Sequence, residues 1–200
     1  VSKRRLLTVV LGVLAAFLVA GFVLIPRFLY RPFPGDHTPE GAYTRIARSI
    51  GTDDDVAAIF AYLETDSQWA SFTIRDLRAK ALERVETSYP PSDRAPLEAA
   101  YREEAEAKDG PDLFARIARR RGWVARLRRD LSGIASVTVE GERATVVTAR
   151  GTRYPFRRRE NGIWGLTTFS ADLMAESERA ARDLAVVQAA ADDYDRAARR

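Results

Sequence analysis

Residues 6–25 carry no charged side chain and a single polar one, Thr8, in an unbroken run of Leu, Val, Ala, Phe, Gly and Ile. At a helical rise of about 1.5 Å per residue this run reaches roughly 30 Å, the hydrocarbon thickness of a bilayer. No other feature limits the fold so strongly, because a chain of 200 residues rarely hides such a segment in a water-soluble core. The run is therefore read as a transmembrane helix. Lys3-Arg4-Arg5 ahead of it would also suit a secretory signal, but the apolar part of a signal is shorter, about 7–15 residues, and ends in small residues. Here Leu18-Val19-Ala20 puts a bulky Leu where a small residue is wanted, and the run continues to Ile25. A retained anchor is the expectation.

The flanking charges orient it. Lys3, Arg4 and Arg5 precede the span, whereas Arg27 and Arg31 follow it with Asp36 and Glu40 close behind. Positive flanks stay cytoplasmic, so residues 1–5 are expected inside and the remainder beyond the inner membrane, in the periplasm of a cell with two membranes. The near-absence of lysine (Lys3, Lys80 and Lys108) beside abundant Arg and Ala suggests a bacterial, GC-rich source. The chain has no Cys, which excludes a disulfide framework and a lipidated cysteine. Its net charge of +4 comes from basic groups spread along a chain that also holds 28 acidic ones, so no nucleic-acid partner is expected.

Pro26, Pro32, Pro34, Gly35 and Pro39 mark residues 26–39 as a linker. A soluble α+β domain is expected over 40–169, followed by a C-terminal helix over 170–200. Tyr43, Ile46, Ala47 and Ile50 fall at helical spacing, and Val56, Ile59, Phe60 and Leu63 repeat it. Further helices are predicted over 69–89, 93–108, 111–121 and 123–131. From Ile134 the period changes to two: Val137 and Val139, a turn at Glu140-Gly141-Glu142, and the return over 144–148 predict a hairpin. Tyr154-Pro155-Phe156 and a strand over 163–169, joined at Asn161-Gly162 in a type I′ turn, complete a four-stranded antiparallel meander. Pro155 is expected at an edge or bulge. Ser170 is a candidate cap for the last helix, on which Leu173, Leu184, Val187 and Tyr194 lie along a seam of fours and threes. That seam packs on its own domain or forms a helix interface with a partner or a second copy.

Candidate chemistry is sparse. His37 is the only histidine, which excludes a His-centred triad and a multi-histidine metal site. Asp53-Asp54-Asp55 lacks the spacing of a calcium loop and suits a helix start. There is no Gly-rich phosphate loop, so neither cofactor nor metal is expected, and no residue is assigned a catalytic role. Arg116, Arg119, Arg120, Arg126, Arg128 and Arg129 form the densest basic stretch. They either pair with the acidic helix before them or offer a surface to anionic headgroups or an acidic partner. Tyr154, Phe156 and Trp164, at alternating strand positions, are either core or the lining of a pocket under the sheet.

Residues 137–147, then Tyr154-Pro155-Phe156 and Asn161-Gly162-Ile163-Trp164-Gly165-Leu166, resemble the late strands of the NTF2-like (cystatin-like) superfamily. That resemblance implies helices packed into a curved antiparallel sheet. Its members include ketosteroid-isomerase-like enzymes and many non-enzymatic binding or assembly domains, and the acid/base constellation of the isomerases finds no matching residues here. The functional expectation is a membrane-tethered, extracytoplasmic binding or assembly module without catalysis. The alternative is a small-molecule pocket or a modest acid/base enzyme.

Overall fold

In the computed structural model of the chain, residues 35–51 and 54–200 are described. The expected span at 6–25, its basic flank and most of the linker lie outside them, as do residues 52–53. Among the described residues no helix is long and apolar enough to cross a membrane. The elements are α1 (Pro39–Gly51), a 3-10 helix (Ala57–Tyr62), α2 (Thr65–Ser88), α3 (Pro91–Ala105), α4 (Gly110–Arg120), α5 (Trp123–Asp130), β1 (Ile134–Glu140), β2 (Arg143–Thr148), β3 (Arg153–Arg158), β4 (Trp164–Leu166) and α6 (Ser170–Ala198). The fold is α+β, with a helical first half, an antiparallel meander in the order β1-β2-β3-β4 and a long C-terminal helix.

Several elements depart from the periodicity that predicts them. Val56, Ile59, Phe60 and Leu63 do not share an α-helix; the chain makes a six-residue 3-10 helix instead. Leu63 leaves it to bridge Leu166 in parallel, and the Glu64 N–H donates to the Leu166 carbonyl at 3.2 Å. This closes the β4 edge of the sheet. Gly165 makes the approach possible, since a Cβ there would lie 2.6 Å from the Glu64 backbone. β4 has only three residues, because Thr167 N–H turns to the Pro155 carbonyl at 3.0 Å. Pro155 is thus tolerated on an inner strand: its carbonyl, and with it its nitrogen, points past the end of β4, where no ladder donor is required.

The β3–β4 turn is not type I′, because Asn161 keeps a negative φ and only Gly162 is left-handed (φ 81°). Gly162 N–H bonds the Arg159 carbonyl and Arg159 N–H bonds the Ile163 carbonyl, both at 2.9 Å. That is a type I turn closed by a left-handed glycine, and Gly151 repeats it between β2 and β3, where Gly151 N–H bonds Thr148 and Thr148 N–H bonds Thr152. Ser170 does not cap α6. Phe169 occupies the cap position and the Ser170 hydroxyl meets Ser67 at 2.8 Å. The end of the expected linker is built into the domain: the Trp164 indole donates to the His37 carbonyl at 3.1 Å, and Tyr62 donates to Asp36 at 3.2 Å.

Two apolar cores result. The larger lies between the inner face of the sheet and α1, the 3-10 helix, α4, α5 and the first turns of α2 and α6, with Ile46, Ile59, Ile74, Phe114, Val146, Phe156, Phe169 and Leu173 fully enclosed. The smaller joins the distal halves of α2 and α6 to α3 through Leu82, Val85, Tyr89, Tyr101, Leu184, Val187 and Ala191. Between them Arg78, 5 % exposed, reaches Glu104 at 3.0 Å, Asp183 at 2.6 Å and Glu176 at 3.6 Å. Burial pulls the Arg78 pKa down, but its hydrogen bonds to Asp183 and Glu104 outweigh that and hold it above the ordinary arginine value. Arg120 and Arg121 close the network from outside, on Glu104 and Glu176 respectively.

Candidate interaction cleft

Of the side chains singled out in the sequence, the three aromatics are consumed by the core. Tyr154, Phe156 and Trp164 are all buried on the inner sheet face, with the Tyr154 ring 5.4 Å from Tyr43. None lines a described cleft, and of the two readings of these aromatics, core or pocket lining, packing in the core is the one they adopt. Burial, then the Tyr43 and Asp130 neighbours, push the Tyr154 phenol up to about 12.

The helix seam is likewise occupied from within. Leu173 enters the main core, Leu184 and Val187 pack in the smaller core formed with α2 and α3, and Tyr194 donates to Asp93 at 2.7 Å. Leu173, Leu184 and Val187 are thus buried within the chain, and Tyr194 is half-buried at its surface. Most of the basic stretch pairs locally. Arg116 bridges Asp112 at 3.0 Å and donates to the Glu103 carbonyl, Arg120 holds Glu103 at 2.9 Å, Arg128 holds Asp54, and Arg129 holds Asp130 at 3.1 Å. The Asp112 carboxyl is held below its usual value, first by the Lys108 N–H and then by Arg116. Arg119 and Arg126 are exposed and make no ion pair among the described residues.

The arrangement that sequence reasoning missed lies at the start of α2. An open cleft of about 580 Å³ runs between that helix end and the β3–β4 hairpin, lined by Glu64, Thr65, Asp66, Trp69, Arg157, Arg158, Arg159, Glu160 and Asn161. Trp69 is 67 % exposed. Its other side borders a shallower groove formed with Ala70, Thr73, Met174 and Ser177, so the indole stands as a ridge between two depressions. Ala70 and Ile74 take the core stripe of α2, which turns Trp69 outward, and its ring rests 6.4 Å from Phe72. An aromatic out of phase with Ile74, Ala81 and Val85 was the available signal.

The cleft is rich in charged groups without an ion-pair partner among the described residues. No side chain caps α2, leaving its first N–H groups near Thr65 and Asp66. Arg159 donates to the Ala61 carbonyl at 3.0 Å and to Gln68 at 2.9 Å, yet meets no carboxylate among the described residues, and its Nε–H is buried without a partner. Burial alone lowers its pKa. Arg157, Arg158, Glu160, Glu64 and Asp66 likewise form no ion pair among the described residues. An open trough with an aromatic ridge and unpaired charges of both signs suits a polar polypeptide segment better than an enclosed small molecule. Among the described residues no group of His, Cys, Asp and Glu is arranged to hold a metal. No family model matches the chain, and comparison with curated proteins and with solved structures gives no match.

Proposed function

We propose that this chain is a non-enzymatic, membrane-tethered binding or assembly module, anchored by residues 6–25 at the outer face of a bacterial inner membrane, and that it holds a segment of a partner protein in the Trp69 cleft. Trp69 carries the reading, as the most prominent exposed aromatic of the described residues, set beside arginines that meet no carboxylate among those residues. Tryptophan and arginine dominate interface hot spots, because each offers a large contact surface together with a hydrogen-bonding or stacking function. The tether rests on the length of the apolar run and on the charge difference across it. The NTF2-like resemblance is taken in the sense of that superfamily's binding and assembly members, since the aromatics that would line an enzyme pocket are core.

The test uses the full chain in its membrane, with a photoreactive phenylalanine analogue in place of Trp69 and alkaline phosphatase fused after Arg200. An active phosphatase is expected, together with a discrete adduct to a second polypeptide that falls about tenfold or more when Arg159→Ala is added. An active fusion without any adduct would discard the cleft and leave the tether. An inactive fusion would discard the extracytoplasmic placement.

A further inference from the structure

The opposite edge of the sheet has no counterpart to the Leu63–Leu166 closure. β1 pairs only with β2, and among the described residues nothing covers its other side. The strand Ile134-Ala135-Ser136-Val137-Thr138-Val139-Glu140 holds neither Pro nor Lys, and alternate N–H and C=O groups of an edge strand point outward unpaired. Among the described residues its protection is a bulge between Ile134 and Ser136, after which residues 136–140 run in regular register with 143–147.

The inner face of this edge is incomplete. Val137 and Val139 lie opposite Val146 and Ala144, both buried. They therefore belong to the core-facing side of the sheet, yet Val139 is 52 % exposed and Ile134 37 %. Apolar residues on the core face are ordinarily covered. The charges at the two ends of the strand differ in sign on balance. At the hairpin end Glu140 and Glu142 outnumber Arg143, which lies opposite Glu140, and none of the three forms an ion pair among the described residues. At the other end Arg150, whose N–H bonds the Ser132 hydroxyl at 3.2 Å and whose guanidinium reaches the Arg129 carbonyl, also lacks a carboxylate there.

We infer that β1 is the interface for a second copy of this chain, joined edge to edge and antiparallel into a continuous eight-stranded sheet. Antiparallel pairing sets the acidic end of each edge against the basic end of the other, whereas parallel pairing would set like charges together. A two-fold axis at Thr138 places Val137 of one copy opposite Val139 of its partner, twice, on the core face, and pairs Ser136 with Glu140 and Thr138 with Thr138 on the outer face. Only the regular part of the strand is used, and Val139 is covered. Glu142 and the partner's Arg150, each just outside β2, are then about three strand spacings apart, roughly 14 Å between backbones, so their opposite charges favour this orientation without forming a direct bridge. The interface is isologous, so it closes at two copies and leaves each Trp69 cleft, at the far end of the sheet order, accessible.

The chain has no Cys, so single-cysteine variants of the full protein report directly on this register. Thr138→Cys, on the axis, is expected to give a covalent dimer on mild oxidation or with a short bismaleimide in membranes. Thr145→Cys, its neighbour on β2 facing the same side, is expected to give about tenfold less. Val139→Arg is expected to remove the Thr138→Cys dimer and to convert the unmodified full chain from dimer to monomer by light scattering in detergent. A monomeric unmodified chain, equal crosslinking at Thr138→Cys and Thr145→Cys, or a dimer that survives Val139→Arg would each overturn the inference.

Discussion

Tyr154 illustrates how a single polar atom in the core ties stability to pH. Its folded pKa of about 12 lies above the value near 10 expected of an unfolded chain. The neutral phenol's contribution is thus whole below pH 10 and is lost as the pH rises from 10 towards 12. Tyr43, Tyr62, Tyr89 and Tyr101 are also raised, in each case first by burial, so the midpoint of urea unfolding should fall across that window. Tyr154→Phe should flatten the fall without changing stability at pH 7 by more than about 1 kcal/mol. An unchanged alkaline slope in the Phe variant would show that Tyr154 titrates normally.

At the scale of elements, α6 decides the arrangement of the helical half. Its 29 residues extend about 43 Å at helical rise, enough to contribute Leu173 to one core and Leu184, Val187 and Ala191 to the other. A helix that spans both cores cannot be removed without exposing both. Leu184→Ala should cost about 2–4 kcal/mol through the cavity it leaves. In native-state hydrogen exchange the lost protection should concentrate in α3 and the distal halves of α2 and α6, with β2 and β3 least affected. A uniform loss would mean that the two cores unfold as one unit.

For the whole molecule the question is what couples those cores, and the Arg78 layer is the physical link. Its guanidinium joins α2 to α3 and α6 within one buried network. Removing one member of a buried ion network leaves the others desolvated, typically at about 3–5 kcal/mol. Because Arg120 and Arg121 still hold Glu104 and Glu176, Arg78→Leu should fall near 3 kcal/mol, a drop in Tm of roughly 6–12 °C. Arg78→Leu/Glu104→Leu should cost less than the sum of the single changes, as measured by a double-mutant cycle. Additive costs would show that the two residues do not act together.

The sequence by itself determined the elements whose signal is local. The amphipathic spacing of α1, α4 and α5, the period-two run of β1 and β2 and the glycines that turn the hairpins each follow from side chains within one segment meeting water or core. The same locality limits what can be read. Val56, Ile59, Phe60 and Leu63 carry helical spacing, but Leu63 is taken by Leu166, about a hundred residues away in the chain, and pairing with the sheet outweighs a weak local preference. Tertiary structure alone decided that Tyr154, Phe156 and Trp164 fill a core, that the α6 seam faces α2, and that Arg78 is an inward residue beside Glu104 and Glu176. It also brought Trp69 together with Arg157, Arg158 and Arg159, which lie on an α-helix and a distant hairpin. Burial and ion pairing are properties of neighbours in space, and a periodic pattern along one segment does not record who those neighbours are.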